Sequence, residues 1–323
     1  MNGASREMPL PAELPPATTP GWRSVLAREE IRELVVHRDV KSVASLLVDW
    51  GLVGAAFALV AYWPNPLSVL LALAVIGARQ LGLAILMHDA AHRALFRNRR
   101  LNDLLGNWLC GYPVWADVLP YRAYHLQHHA KNYTEEDPDL GLVKPFPITR
   151  ASLRRKVWRD LSGQTGWKRA RATLSRDLGR SHGRQSRTFG GLRHLRGVIA
   201  TNAVLLLLLA IAGHPALYLL WVGAWFTTFQ LVTRIRAIAE HALAPDPADP
   251  LRNTRTTIAN PLERLFVAPN RVNYHLEHHL LMTVPHYNLP RLHALLRERG
   301  ALDGAWVAKG YLRVLREAAS RPA

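Results

Sequence analysis

Residues 66–92 read PLSVLLALAVIGARQLGLAILMHDAAH. About 22 mostly apolar residues at helical rise cover roughly 33 Å, one bilayer thickness. The run then ends in two histidines four positions apart. A helix of this kind crosses the membrane and delivers His88 and His92 to its surface.

Three further segments match its length and apolarity. The spans are read as about 43–63, 66–87, 197–212 and 216–238, the third being short for a bilayer. The links 64–66 and 213–215 carry no Lys or Arg, whereas residues 93–196 are dense with them. By the positive-inside rule the N-terminus, the middle segment and the C-terminus are then cytoplasmic. The expected fold is mainly α and integral to a membrane. Four transmembrane helices in two hairpins are capped by a cytoplasmic helical domain that carries a di-metal site. Residues 1–42 form an N-terminal cytoplasmic tail with a short helix near 25–36. Residues 43–323 form the membrane domain, with 88–196 and 239–323 cytoplasmic. Prolines 9, 11, 15, 16 and 20 break the tail, and no apolar core of signal-peptide length is expected there. A bacterial inner membrane with the site on the cytoplasmic side is the expected location.

The formal charge of +17 invites a nucleic-acid reading. Its placement between apolar runs is instead that of a membrane protein with a basic face, so no nucleic-acid partner is expected. The lone Cys110 allows no internal disulfide and no iron–sulfur cluster, and reads as a small buried apolar side chain. Residues 101–115 read as a re-entrant or interfacial helix. Leu153, Val157, Trp158 and Leu161 recur at helical spacing among Arg154, Arg155, Lys156 and Arg159. That helix lies on anionic headgroups or packs on the protein's own cytoplasmic part. Arg79 and Gln80 fall inside the second span, and Arg79 is expected to snorkel. Arg234 and Arg236 mark the cytoplasmic edge or bind a headgroup.

Three histidine clusters carry the chemistry: H-D-A-A-H at 88–92, H-L-Q-H-H at 125–129 and H-L-E-H-H at 275–279. Positions three and four apart share a helix face. His88 and His92 face together, as do His125, His128 and His129, and His275, His278 and His279. Each cluster can present its imidazoles to a common point. Eight imidazoles exceed the four ligands that zinc prefers and suit two octahedral metals with room for water or O₂. Imidazole also suits zinc, copper and nickel, but zinc has no redox chemistry. A metal transporter is the competing reading, although transporters place their ligands near the bilayer midplane. His37, His182, His194, His214, His286 and His293 stand alone and read as ordinary core or surface residues. Asp89, Asp137, Asp139 and Glu240 are candidates to orient ligand imidazoles.

With these motifs in view, the sequence resembles the membrane fatty acid desaturase and hydroxylase superfamily over roughly 68–296. The stretch from His128 through Asp137-Pro138-Asp139 is similar to the family's segment after its second box. Asn273-Tyr274 and the stretch from Val284 to Pro290 are similar to its C-terminal part. The resemblance implies a further ligand just before the third box, for which His241 is the match. It also implies two iron ions, O₂ as co-substrate, and a lipid-like substrate. An iron pair of this type removes hydrogen from an unactivated C–H bond. Loss of a second hydrogen gives an alkene, and return of oxygen gives an alcohol. The leading expectation is therefore an oxygen-dependent desaturase of a fatty acyl or other lipid-like substrate. The alternative is a hydroxylase of a lipid, carotenoid or small metabolite. The first box has three intervening residues, as in acyl-lipid, sphingolipid or carotenoid-type members. The third box starts with His275 rather than Gln, unlike front-end desaturases. With no flavin, haem or nicotinamide motif in the chain, electrons are expected from a ferredoxin- or rubredoxin-like donor and its reductase.

Overall fold

The computed structural model describes residues 21–180 and 191–322; the proline-rich stretch 1–20 and His182 lie outside the described residues. Among the described residues, four helical segments are long and apolar enough to cross a membrane. The short helix α1 is Arg28–Leu34. The first hairpin pairs α2 (Asp39–Tyr62) with α3 (Pro66–Ala91). The Asn-Pro start works as its chemistry suggests. Asn65 Oδ1 accepts from Leu67 N at 3.0 Å and Ser68 N at 3.1 Å, and Pro66 takes a position whose N–H has no partner in a helix.

The second hairpin pairs α9 (Leu192–Ile211) with a helix broken in two, α10 (Tyr218–Phe226) and α11 (Thr228–His241). The sequence suggested one continuous fourth helix. The break falls at Thr227, with φ −120° and ψ −87°. Hydroxyls supply the cause: Thr227 Oγ1 donates to Gly223 O and Thr228 Oγ1 to Leu73 O, each at 2.6 Å. The third helix begins at Leu192, earlier than its apolar run, because His194 and Gly197 are buried against the aromatic segment near Tyr112. The faces of α2, α3 and α9 turned from the protein are apolar and exposed, Leu47 by 68 %, Leu67 by 75 % and Ile211 by 75 %. Water would not tolerate so continuous an apolar surface, and lipid tails do.

Between the hairpins run α4 (Arg99–Leu105), a π-helical turn at Gly106–Gly111, a 3₁₀ turn at Tyr112–Val114, and α5 (Val118–Lys131). They are followed by α6 (Leu140–Val143), α7 (Arg150–Leu161) and α8 (Gln164–Asp177). The segment 101–115 is thus helical throughout but changes its winding. Glycines make the close approach possible: a Cβ at Gly106 would lie 2.5 Å from the Ala90 Cβ. On α7, Leu153 and Val157 turn toward the protein, whereas Trp158 is 67 % exposed. The C-terminal part adds β1 (Thr256–Ile258), α12 (Pro261–Phe266), α13 (His275–Leu280) and α14 (Leu289–Glu298). β2 (Val307–Lys309) and α15 (Tyr311–Ala318) complete it, and β1 and β2 pair in parallel. Leu26 and Leu34 pack with Leu289, Leu292 and Leu296, which ties the α1 region to the C-terminal part.

Arg79 does not snorkel. It is buried on α3 and pairs with Asp49 of α2 at 3.0 Å, while its other terminal nitrogen donates to Leu265 O. Asn270 Nδ2 donates to Asp49 Oδ2 at 2.8 Å and to Gly82 O at 3.0 Å. Asp49 sits within reach, so pairing replaces the route to water. Removing one partner leaves a buried, uncompensated charge. Asp49→Ala is therefore expected to destabilise the protein by about 3–5 kcal/mol, and the double change Asp49→Leu with Arg79→Met to recover most of that loss. Unfolding midpoints in detergent check this, and an Asp49→Ala midpoint equal to that of the natural protein would contradict it. Arg234 and Arg236 are likewise ion-paired, with Asp160 at 2.5 Å and Glu240 at 2.5 Å, rather than simply marking an edge.

Candidate metal centre

Four elements bring the histidine boxes together. His88 lies in the last turn of α3 and His92 directly follows that helix. Asn102 fixes this end: its amide donates to Ala90 O at 2.8 Å and its oxygen accepts from Leu95 N at 3.1 Å. His125, His128 and His129 lie on α5, whose start is capped by Asp117 accepting from Leu119 N at 3.0 Å. His241 is the last residue of α11. His275, His278 and His279 lie on α13.

The nine imidazoles form two groups. One comprises His88, His92, His125, His129 and His278; the other comprises His128, His241, His275 and His279. Within each group the candidate ligand atoms lie within 4.8 Å of one another. The second and third boxes are therefore each divided between the groups and do not point to one place. Helix geometry gives the reason. At 3.6 residues per turn, positions i+3 and i+4 fall on opposite sides of i, about 100° apart. A single H-x-x-H-H turn thus reaches two adjacent centres.

The donor atoms fit metal ions better than protons. His129 Nε2 lies 3.0 Å from both His125 Nε2 and His278 Nε2. His241 Nε2 lies 2.8 Å from His275 Nε2 and 3.2 Å from His128 Nε2. One proton cannot serve two such contacts, whereas a cation about 2.0–2.1 Å from each nitrogen can. His88 Nδ1 and Nε2, His92 Nε2 and His279 Nε2 are buried with no hydrogen-bond partner among the described residues. Burial pushes His92, His125, His275, His278 and His279 well below the usual imidazole range, and His129 down to about 2. These six rings are therefore neutral at pH 7, the state that binds metal.

Carboxylates back the four-histidine group more directly than the five-histidine group. His128 Nδ1 donates to Asp137 Oδ1 at 2.8 Å. Asp137 is itself held by Asp139 N on Oδ1 at 2.8 Å and Tyr133 N on Oδ2 at 2.9 Å. Burial alone would raise the Asp137 carboxyl, but the His128 imidazole and these N–H groups hold it below its ordinary value. Glu240 lies 3.4 Å from His275 Nδ1. Asp139 is peripheral, 3.8 Å from His128 Nδ1. Asp89 is 3.7 Å from His88 Nδ1 and instead accepts from His286, through Nδ1 at 2.7 Å and the backbone N at 3.0 Å.

Several lone histidines have ordinary structural partners. His37 contacts Arg93 O at 2.9 Å, His194 bonds Asp177 at 2.8 Å, and His293 bonds Glu277 at 2.6 Å. His214 is exposed in the link between α9 and α10. Cys110 is buried and free.

A cavity of about 410 Å³ opens beside the groups, with His125, His128, His241 and His275 on its wall. Leu81, Met87 and Phe229 line it from the apolar side. Tyr121, Arg169 and Thr233 add polar groups. Tyr121 stacks on His125 with ring centres 5.1 Å apart. Sequence reasoning missed Tyr121 and Arg169, because neither belongs to a motif and their roles depend on how α5, α8 and α11 pack.

Comparison with known proteins follows the same lines. The family model described as fatty acid desaturase matches residues 61–310. Dihydrorhizobitoxine desaturase of Bradyrhizobium elkanii is 32 % identical over 247 residues, 71 % of this chain and 67 % of the relative. The beta-carotene ketolase of Paracoccus sp. (strain PC1) is 29 % identical over 260 residues, 77 % of this chain and 89 % of the relative. The chloroplastic omega-6 fatty acid desaturase of Arabidopsis thaliana is 24 % identical over 295 residues, 83 % of this chain and 61 % of the relative.

Proposed function

The chain belongs to the fatty acid desaturase family and is an oxidoreductase, and on that premise we propose that it desaturates an unactivated C–C bond of a lipid-like substrate, using O₂ and two iron ions held by its nine histidines. The observation that carries this reading is the pair of histidine groups on the wall of one cavity. In it, His88, His92, His125, His129 and His278 hold one ion, and His128, His241, His275 and His279 hold the other. Bound iron would supply O₂ activation and the two-electron oxidation that C–H removal requires. The protein's own part is positioning. Asp137 fixes the His128 ring and its tautomer, so that Nε2 faces the metal. Glu240, held by Arg236, lies behind His275 at 3.4 Å from its Nδ1, a looser support than Asp137 gives His128. Leu81, Met87 and Phe229 exclude water from the side where an apolar chain would lie.

We place the centre on the cytoplasmic side of a bacterial inner membrane, following the basic charge of the segments between and after the hairpins. Electrons come from a separate ferredoxin- or rubredoxin-like donor steered to that face. Turnover should then require reductant and should slow as added salt brings the Debye length below about 10 Å. Turnover supported by substrate and O₂ alone would rule the donor out.

A second reading, oxygen insertion on the same scaffold, is favoured by the similarity to a ketolase over 89 % of that relative's length. Mass spectrometry of host lipids and small metabolites, with and without the gene, separates the two. Desaturation predicts products lighter by two hydrogens; insertion predicts products heavier by one oxygen for an alcohol, or by one oxygen less two hydrogens for a ketone. No gene-dependent product under aerobic, reducing conditions would defeat both.

A further inference from the structure

We infer that the substrate is an amphiphile with an anionic group, a carboxylate or a phosphate, which Arg169 binds at the mouth of the cavity beside the histidine groups. This rests on the reading of those groups as the oxidising centre. It adds the chemical class of the substrate and the residue that selects it.

The cavity's other ionic groups are already engaged. Arg236 pairs with Glu240 at 2.5 Å, and Asp139 accepts from the Tyr124 hydroxyl. Arg169 projects from α8 into the same space without a carboxylate partner among the described residues. Its contacts are one hydrogen bond, to Gln230 Oε1 at 3.4 Å, and the Phe229 ring 5.4 Å away. A guanidinium carries five N–H donors in a fork that matches a carboxylate or phosphate, so most of its capacity is left for a ligand.

A second observation points to the same place. Thr233, one turn beyond Gln230 on α11, lines the cavity with a buried hydroxyl that has no partner among the described residues. A cation and a hydroxyl on neighbouring helices thus face one volume. Gln230 and His241 are eleven residues apart on α11, which is roughly 16 Å along the helix. An anion held at Arg169 would therefore leave an apolar chain to run past Phe229 and Met87 toward the histidines.

The test uses the full chain in nanodiscs of neutral phosphatidylcholine, titrated with laurate, dodecyl phosphate and methyl laurate. The natural protein should bind at least one anion about tenfold or more tightly than the ester, as one charge-assisted contact at this site implies. Whichever anion binds tighter identifies the group as carboxylate or phosphate. R169Q should reduce the preference below about threefold and leave methyl laurate affinity unchanged. R169K, which keeps the charge and loses the fork, should fall between. Equal binding of ester and anions, no binding of either anion, or a preference that survives R169Q would overturn the assignment. Should R169Q not fold, the natural protein's anion-to-ester ratio and R169K still decide. Binding is read without turnover, and metal content is measured on the same samples. Failure of the oxidation reading and failure of the anion site are therefore told apart.

Discussion

Replacing His241 by alanine is expected to abolish turnover and to lower metal content from about two ions per chain toward one, with membrane insertion intact. His241 belongs to the smaller group, where its Nε2 lies 2.8 Å from His275 Nε2 and 3.2 Å from His128 Nε2. Its loss leaves three imidazoles around that ion, so the four-histidine position should empty first. His214→Ala is the control. His214 lies in the exposed link before α10, roughly a bilayer thickness of 30 Å from the histidine groups. Its loss should change neither metal content nor rate. Full metal and full activity in the His241 variant would remove it from the ligand set.

Asp137→Asn is expected to weaken metal binding about 10–100-fold at the four-histidine position, as loss of a carboxylate behind a ligand histidine does. The amide cannot reproduce the carboxylate here. Asp137 accepts His128 and Asp139 N–H bonds on one oxygen and the Tyr133 N–H on the other. Whichever way the amide is turned, its NH₂ faces at least one N–H donor. Chelator titration followed by elemental analysis should show one of the two ions leaving at lower chelator concentration than in the natural protein. Unchanged release of both would contradict the role given to Asp137.

These expectations draw on unequal contributions from sequence and structure. The four apolar helices were legible, because a bilayer demands length and apolarity within one continuous segment. The three boxes were legible for a related reason, since histidines three and four apart are neighbours on any helix. Their division between two groups was not read from spacing, although the 100° fan of a helix contains it. His241 entered only through family resemblance, because a lone histidine at a helix end carries no local signal. The Asp49–Arg79 pair, the break at Thr227 and the placing of Arg169 depend on which helix faces meet. Apart from the local Thr227–Gly223 bond, they involve partners 30 to 155 residues apart in sequence, and no window of local sequence contains those.

The central claim is that the nine histidines hold two metal ions, and elemental analysis of the purified, membrane-extracted protein tests it most directly. The account predicts about two transition-metal ions per chain, iron in preparations that turn over. Zinc is admissible in overexpressed material, since it binds imidazole more tightly than ferrous iron does. No more than one ion per chain in folded protein with all nine histidines intact would contradict it.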